Sequence, residues 1–289
     1  MNTEKSGSKN TGQPAPAEMY LLLNGLAVHH TNKHETDFLY KEIFVERAYL
    51  KNGIALTPGA CVFDIGANIG MFALFVKSVC ADATVFAFEP IPALNQILKL
   101  NLAQFGQSIR VYEKGVSGKE GMASLIYYPG YSIMSGFHAD EATDATVLSS
   151  SMKKQISNSR TKRRQVTDEH LLDMAKYTLS QKVELKCEMT SVSQVIREAG
   201  VEKIDLLKID AEKSELEILE GIHPDDWTKI NQIVLEAHSP KEAEAVGELL
   251  VRKGFKITME QEDQLTNSGV FNCFAIRPST TTAGRARII

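Results

Sequence analysis

VFDIGANIGMFALF, residues 62–75, is the stretch whose reading decides the fold. Val62, Phe63 and Ile65 supply a short buried strand, while Met71, Phe72, Leu74 and Phe75 supply the apolar face of a following helix. Between them, Gly66 and Gly70 let the backbone turn sharply and approach a ligand without a Cβ in the way. Asn68 also tolerates unusual dihedrals. A ligand at this turn therefore meets a helix N-terminus. The dinucleotide pattern G-x-G-x-x-G does not fit, because alignment on Gly66 puts Asn68 and Met71 where the second and third glycines belong. Asp64, just ahead of the turn, repels a pyrophosphate and favours a cationic or hydroxyl-bearing ligand. S-adenosylmethionine, with an ammonium, a sulfonium and a ribose, has that chemistry.

The next apolar run, Thr84 to Phe88, ends in Glu89, where open α/β folds place an acid that holds both ribose hydroxyls. A lone acid after an apolar stretch is more often a strand end meeting water. The company of Asp64 and the glycines turns the reading toward a nucleoside site.

Outward from this centre the pattern alternates. Phe38, Leu39, Ile43, Phe44 and Tyr49 fall near helical spacing, which predicts an amphipathic helix over 36–50 that forms a lid. A helix over 94–105 and a strand over 109–112 complete a βαβαβ half, and Gly115 to Gly118 read as a turn. Residues 122–128 read as an added strand, and 141–181 as a polar helical insertion. The core resumes with a helix at 191–199, a strand at 204–209, a helix at 214–219 and a strand at 230–236. Two further strands, 255–259 and 270–276, close the chain. This order predicts an α/β doubly wound sheet with an antiparallel edge. The expected boundaries are a disordered leader over 1–18, a lid region over 19–58, a main domain over 59–278 with an insertion at about 118–190, and a flexible tail over 279–289.

The 289 residues are 43% hydrophobic and 24% charged, ordinary for a soluble globular protein. Cys61, Cys80, Cys187 and Cys273 are far apart and form no C-x-x-C pair, so they read as buried thiols of a cytoplasmic protein. The leader lacks the apolar run of a signal peptide, and no span has transmembrane length. A formal charge of -4 without a broad basic stripe argues against a duplex nucleic acid substrate. Lys162-Arg163-Arg164 is the exception and reads as a solvated helix face.

In doubly wound sheets ligands bind beyond the carboxyl ends of the strands. That rule picks out Asp210 and Glu212 after one strand, and Glu236 and His238 at the end of the next. Methyl transfer is mainly a positioning task, assisted by a base for a hydroxyl proton. His238, with an intrinsic pKa of about 6.5, suits the base role. Glu212 is placed to orient it or to stabilise its cation. An isolated histidine past a strand end is more often a surface or loop residue, and only the position on this rim favours a function. His34 and His138 are weaker candidates for the pocket wall. No dedicated oxygen cage for a metal is visible, and a histidine base makes one unnecessary.

VFDIGANIGMFALF, FAFEP, IDLLKIDAEKSELEILEGI and IVLEAH together resemble the FkbM-type methyltransferase family. HETDFLYKEIF, YYPGYSIMSGFHAD and DWTKINQIVLEAH further resemble the O-methyltransferase domains of modular polyketide synthases. The resemblance runs from about Tyr20 to Ile276. It implies a class I methyltransferase (Rossmann-like) fold, S-adenosylmethionine as donor and a polyketide hydroxyl or enol as acceptor. By position it puts Asp64, Gly66 and Asn68 in the donor loop and Glu89 on the ribose. Val116 and Ser117 fall at the adenine edge, Asp210 among the donor-binding residues, and Glu212 with His238 at the acid and base. The chain departs from the family pattern at Ala211, where Val is usual, at His138, often Tyr, and at Ser239, commonly Asp. Met1 opens the sequence and no carrier or condensing domain accompanies it. That leaves two settings, action on a chain held by an acyl carrier protein and action on a released product, by a monomer or weak dimer. A nucleic-acid methyltransferase, a non-catalytic donor-binding module and a nicotinamide dehydrogenase are the competing readings.

Overall fold

Asn24-Gly25 turns the first hairpin of the computed structural model, which describes residues 18–158, 166–261 and 270–278. Its strands are β1 (Glu18–Leu21) and β2 (Ala27–His30). Helix α1 (Lys33–Tyr40) follows, and the Asn32 side chain caps it by accepting from the N–H groups of His34 and Glu35. A π-helical turn over Lys41–Val45 ends it. The helix expected over 36–50 therefore starts earlier, at its cap, and stops sooner, before Arg47 takes a left-handed φ of 52°.

The βαβαβ half is β3 (Cys61–Ile65), α2 (Met71–Val79), β4 (Thr84–Phe88), α3 (Pro92–Leu102) and β5 (Ile109–Tyr112). An excursion follows, made of β6 (Gly115–Val116), β7 (Gly121–Tyr127), α4 (Glu141–Asn158), α5 (Asp168–Ser180) and β8 (Val183–Thr190). The second half is α6 (Val192–Ala199), β9 (Leu206–Ile209), α7 (Glu215–Glu220), β10 (Gln232–Ala237) and α8 (Pro240–Arg252), then β11 (Lys256–Gln261) and β12 (Phe271–Ile276).

The main sheet runs β11-β12-β10-β9-β3-β4-β5. The five strands from β10 to the β5 edge are parallel, while β12 is antiparallel to both β10 and β11. The chain winds one way from β3 to β5 and the other way from β9, so β3 and β9 flank the switch point. This is a doubly wound, Rossmann-like architecture with the expected antiparallel edge. Strand alternation divides the core between two faces. Val62, Val85 and Ala87 pack with α2 and α3, and Phe63, Phe86 and Ile209 pack with α6, α7 and α8.

The excursion carries its own small sheet, ordered β6-β8-β7. Gly115 and Val116, expected in a turn, instead pair with Met189 and Thr190 as a short parallel strand. The strand β8 that receives them was not anticipated. Above this sheet, α4 and α5 close over Tyr128, Leu148, Ala175 and Leu179. Lys213 ties α4 to the loop after β9 through a 2.8 Å ion pair with buried Asp144.

The readings for 1–17, for 279–289 and for Lys162-Arg163-Arg164 fall outside the described residues, whereas Glu18 begins β1. The cysteines are unpaired thiols, three of them buried. Among the described residues no helix is long and apolar enough to cross a membrane.

Candidate active site

The carboxyl ends of β3, β4, β9 and β10 open into a cavity of about 1040 Å³. Gly66, Asn68, Glu89, Val116, Asp210, Glu212 and His238 line it, together with Phe38 and Ile43 from the α1 segment and Tyr131 to Phe137 from the excursion. The sequence-derived rim is therefore one wall of one space.

Gly66 has a φ of 75°, and a Cβ there would meet the Asp210 carbonyl oxygen at 1.8 Å. Only glycine lets the loop after β3 and the end of β9 touch. Asn68 also takes a left-handed φ, of 48°. Its N–H donates to Glu89 Oε2 at 3.0 Å, and the Ile91 N–H donates to Glu89 Oε1 at 2.8 Å. Each carboxylate oxygen offers roughly two lone-pair directions, so one remains on each for a ligand hydroxyl. Burial pushes the Glu89 carboxyl up to about 7, against the pull of those two N–H groups.

Asp64 does not line the cavity. It is fully buried beneath the loop after β3, with Lys208 as its cross-strand neighbour. The Lys208 ammonium stands 3.2 Å from Asp64 and 3.3 Å from Asp210, and donates to the carbonyls of Ile65 and Gly66 at 3.3 and 2.8 Å. The acidic entrance attributed to Asp64 is thus neutralised from within the sheet, and Asp210 is the carboxylate of the pair that reaches the cavity. Tyr49 donates its hydroxyl to Asp210 Oδ2 at 3.1 Å. Ser117, unlike Val116, is not on the wall; its Oγ accepts from the Lys119 N–H and donates to the Lys119 carbonyl, both at 3.1 Å. Neither His34 nor His138 lines the cavity, and His138 faces Glu217 at 3.8 Å.

Glu212 and Lys213 take φ values of 48° and 74°, two consecutive non-glycine residues in the left-handed region. Such strain costs about 1–3 kcal/mol per residue and collects at functional sites. Gly136 presses against Glu212, where an added Cβ would meet the Glu212 Cβ at 2.8 Å. Burial raises the Glu212 carboxyl, helped by Asp210 and Glu215 and opposed by His238.

His238 directly follows β10 with its side chain 13% exposed, and its Nε2 faces Glu215 at 3.6 Å. Burial favours a neutral imidazole, but Glu215, Glu212 and Glu236 outweigh it and raise the group to about 10. His238 is thus held well above the intrinsic value of about 6.5 that suited the base role, because carboxylates beyond Glu212 face it. Glu215 was missed since it stands in SELEIL, which reads as an exposed helix, yet it is fully buried. Lys208 was missed inside an apolar run; a lone lysine there was the available signal.

A model of the methyltransferase FkbM domain matches residues 64–257. The chain belongs to the FkbM methyltransferase family. It is 36% identical over 263 residues to the 31-O-demethyl-FK506 methyltransferase FkbM of Streptomyces tacrolimicus, covering 90% of this chain and 97% of that one. It is 35% identical over 278 residues to the AMB antimetabolite synthetase AmbE of Pseudomonas aeruginosa, covering 92% of this chain but only 13% of that much longer protein. Methyltransferase sdnD of Sordaria araneosa is 30% identical over 249 residues, with coverage of 82% and 89%. A solved precorrin-6y C5,15-methyltransferase from Geobacter metallireducens GS-15 aligns at a TM-score of 0.43 and 12% identity over 80% of this chain and 86% of that one, a likeness that carries no argument.

The cofactor of an FkbM domain is S-adenosylmethionine. The residues fit it. Gly66 gives the loop an approach that a Cβ would block, Glu89 retains acceptor capacity, and Asp210 supplies a carboxylate for a cationic ligand.

Proposed function

We propose that this FkbM-family protein is an O-methyltransferase that methylates a hydroxyl or enol of a polyketide or related natural product, with His238 as general base. The observation that carries the reading is the placement of His238 on the same cavity wall as Gly66, Glu89 and Asp210. Bound S-adenosylmethionine supplies an electrophilic methyl on a sulfonium. The protein holds it through the donor loop, with Glu89 accepting from the ribose hydroxyls and Asp210 offset against its positive charge. Asp64 supports this from below by fixing Lys208 against the loop carbonyls. Val116 lies at the adenine edge, whereas Ser117 is off the cavity wall and its N–H already donates to the Thr190 carbonyl at 2.9 Å.

The acceptor half is formed by Phe38 and Ile43 on one side and Tyr131, Ile133 and Phe137 on the other. These apolar groups suit a small molecule of low polarity and exclude water from the transfer. The relative named for an O-demethyl acceptor supports oxygen as the methylated atom. His238 takes the hydroxyl proton from its neutral fraction, and positive charge entering the cavity enlarges that fraction by lowering the imidazole's proton affinity. Glu212 stabilises the imidazolium that forms.

Methyl-labelled donor, incubated with candidate hydroxyl acceptors both free and bound to an acyl carrier protein, tests the reading. Label recovered as an O-methyl ether supports it, and label only on nitrogen or carbon contradicts it. Turnover is expected to survive a strong chelator.

A further inference from the structure

Glu215 has no assigned part in this site, yet its surroundings are those of a working residue. It is fully buried at the first turn of α7, and its Oε1 accepts from the Ala211 N–H at 2.9 Å, which pins the carboxylate. From there it stands 3.6 Å from His238 Nε2, which is buried and makes no hydrogen bond among the described residues. That separation is an ion-pair distance, longer than a hydrogen bond. Catalytic contacts are commonly long in ligand-free enzymes and tighten when the site is loaded.

The backbone of His238 is held by a second carboxylate. The His238 N–H donates to Glu242 Oε2 at 2.8 Å, and Ser239 caps α8 by accepting from the Glu242 N–H at 3.1 Å. Glu242 fixes where the residue begins, and Glu215 faces where its ring ends. Glu212, on the strained loop after β9, Glu236, on β10 itself, and Glu242 are the other charged groups that act on the imidazole, and the Glu242 side chain also hydrogen-bonds Glu215.

We propose that Glu215, rather than Glu212, is the positioning residue for His238. Its carboxylate selects the tautomer protonated at Nε2 and leaves Nδ1 as the nitrogen that accepts a proton. The inference rests on the general-base reading of His238 and adds the group that orients the base. No covalent bond is made or broken at Glu215 as the imidazole gains and loses its proton.

The test is an NMR titration of the His238 imidazole in the intact protein, followed by the pH dependence of turnover. Glu215→Gln keeps an acceptor for Ala211 but removes the charge, so the His238 midpoint is expected to fall by about one pH unit or more. Glu215→Asp retains the charge on a shorter arm, and a smaller fall supports the same reading. A Glu215→Gln midpoint that matches wild type in a folded protein overturns it, as does a larger fall in Glu212→Gln than in Glu215→Gln. Should Glu215→Gln fail to fold, the Asp variant decides: a wild-type midpoint there overturns the inference. If the midpoint falls while the turnover profile stays in place, Glu215 still positions the imidazole and the base reading is what fails.

Discussion

Lys208 stands directly opposite Asp64 in the parallel pairing of β9 with β3, and its ammonium lies 3.2 Å from that carboxylate beneath the donor loop. The two charges are 3% and 0% exposed, so each is the other's substitute for water. Removing one partner of such a pair costs about 3–5 kcal/mol, whereas replacing both by groups of similar shape is often neutral. Lys208→Met is therefore expected to destabilise strongly, and Lys208→Met with Asp64→Asn to recover much of the loss. Urea unfolding of the singles and the double measures this, and purely additive losses would show that the pair is not coupled.

The contact between Gly66 and Asp210 makes a second prediction. An added methyl would sit 1.8 Å from the Asp210 carbonyl oxygen, at a φ of 75° that a side chain disfavours. Gly66→Ala must move the donor loop away from β9, so donor affinity falls by about two decades or more. Calorimetry with S-adenosylhomocysteine checks this, and wild-type affinity would mean that the loop is not the donor cradle.

Glu35 predicts how stability changes with pH. It is 4% exposed, its Oε2 accepts from the Ser132 hydroxyl at 3.1 Å and its Oε1 from the Ile133 N–H at 3.3 Å. Burial raises its carboxyl to about 7 despite those bonds. An unfolded glutamate titrates near 4.3. Below that pH both states hold the proton; between there and about 7 the native state keeps a proton that the unfolded chain has lost. Stability therefore falls as pH rises through this window and levels off above it. Glu35→Gln is expected to shrink that fall by up to about 3 kcal/mol. Unfolding free energies at several pH values test it, and superimposable curves would contradict it.

Residues whose role is local were legible in the sequence, and those defined by a distant partner were not. The apolar run ending at Glu89 marks its own strand end, and Asn68 between two glycines announces a left-handed turn. Ile109 to Tyr112 could be bounded by composition alone. Asp64 looked like an entrance acid because nothing near it in the chain shows that Lys208, far along, pairs with it. Glu215 sits among acidic neighbours, and only the fold turns it inward against His238. The strand Val183–Thr190 alternates exposed Glu and Lys with apolar residues, which merged it with the polar insertion before it. The same stretch explains Gly115 and Val116, whose strand exists only because Met189 and Thr190 are beside them.

Glu89 joins donor binding to charge. Its two oxygens already accept from Asn68 and Ile91, and the proposed ribose contact uses the remaining lone pairs. A hydrogen bond to a charged group is worth roughly 1.5–3 kcal/mol, so losing two weakens binding by about two to four decades. Glu89→Ala is expected to show that loss in S-adenosylhomocysteine affinity. Unchanged affinity would remove Glu89 from the ribose.

His238 gives the sharpest kinetic expectation. With its imidazole raised to about 10 by the carboxylates around it, only a small fraction is neutral near pH 7. Below its midpoint that fraction grows about tenfold per pH unit, so kcat/KM should climb with pH through neutrality. Donor charge in the cavity lowers the same midpoint, so the limb in kcat should lie at lower pH than the limb in kcat/KM. His238→Ala is expected to cost about two to four decades in turnover and to abolish the limb while leaving S-adenosylhomocysteine affinity near wild type. Loss of affinity in parallel with turnover would make the residue part of the donor site instead, and a surviving limb would assign the titration to another group, with Glu212 the first to examine because its carboxyl is also raised on the same wall.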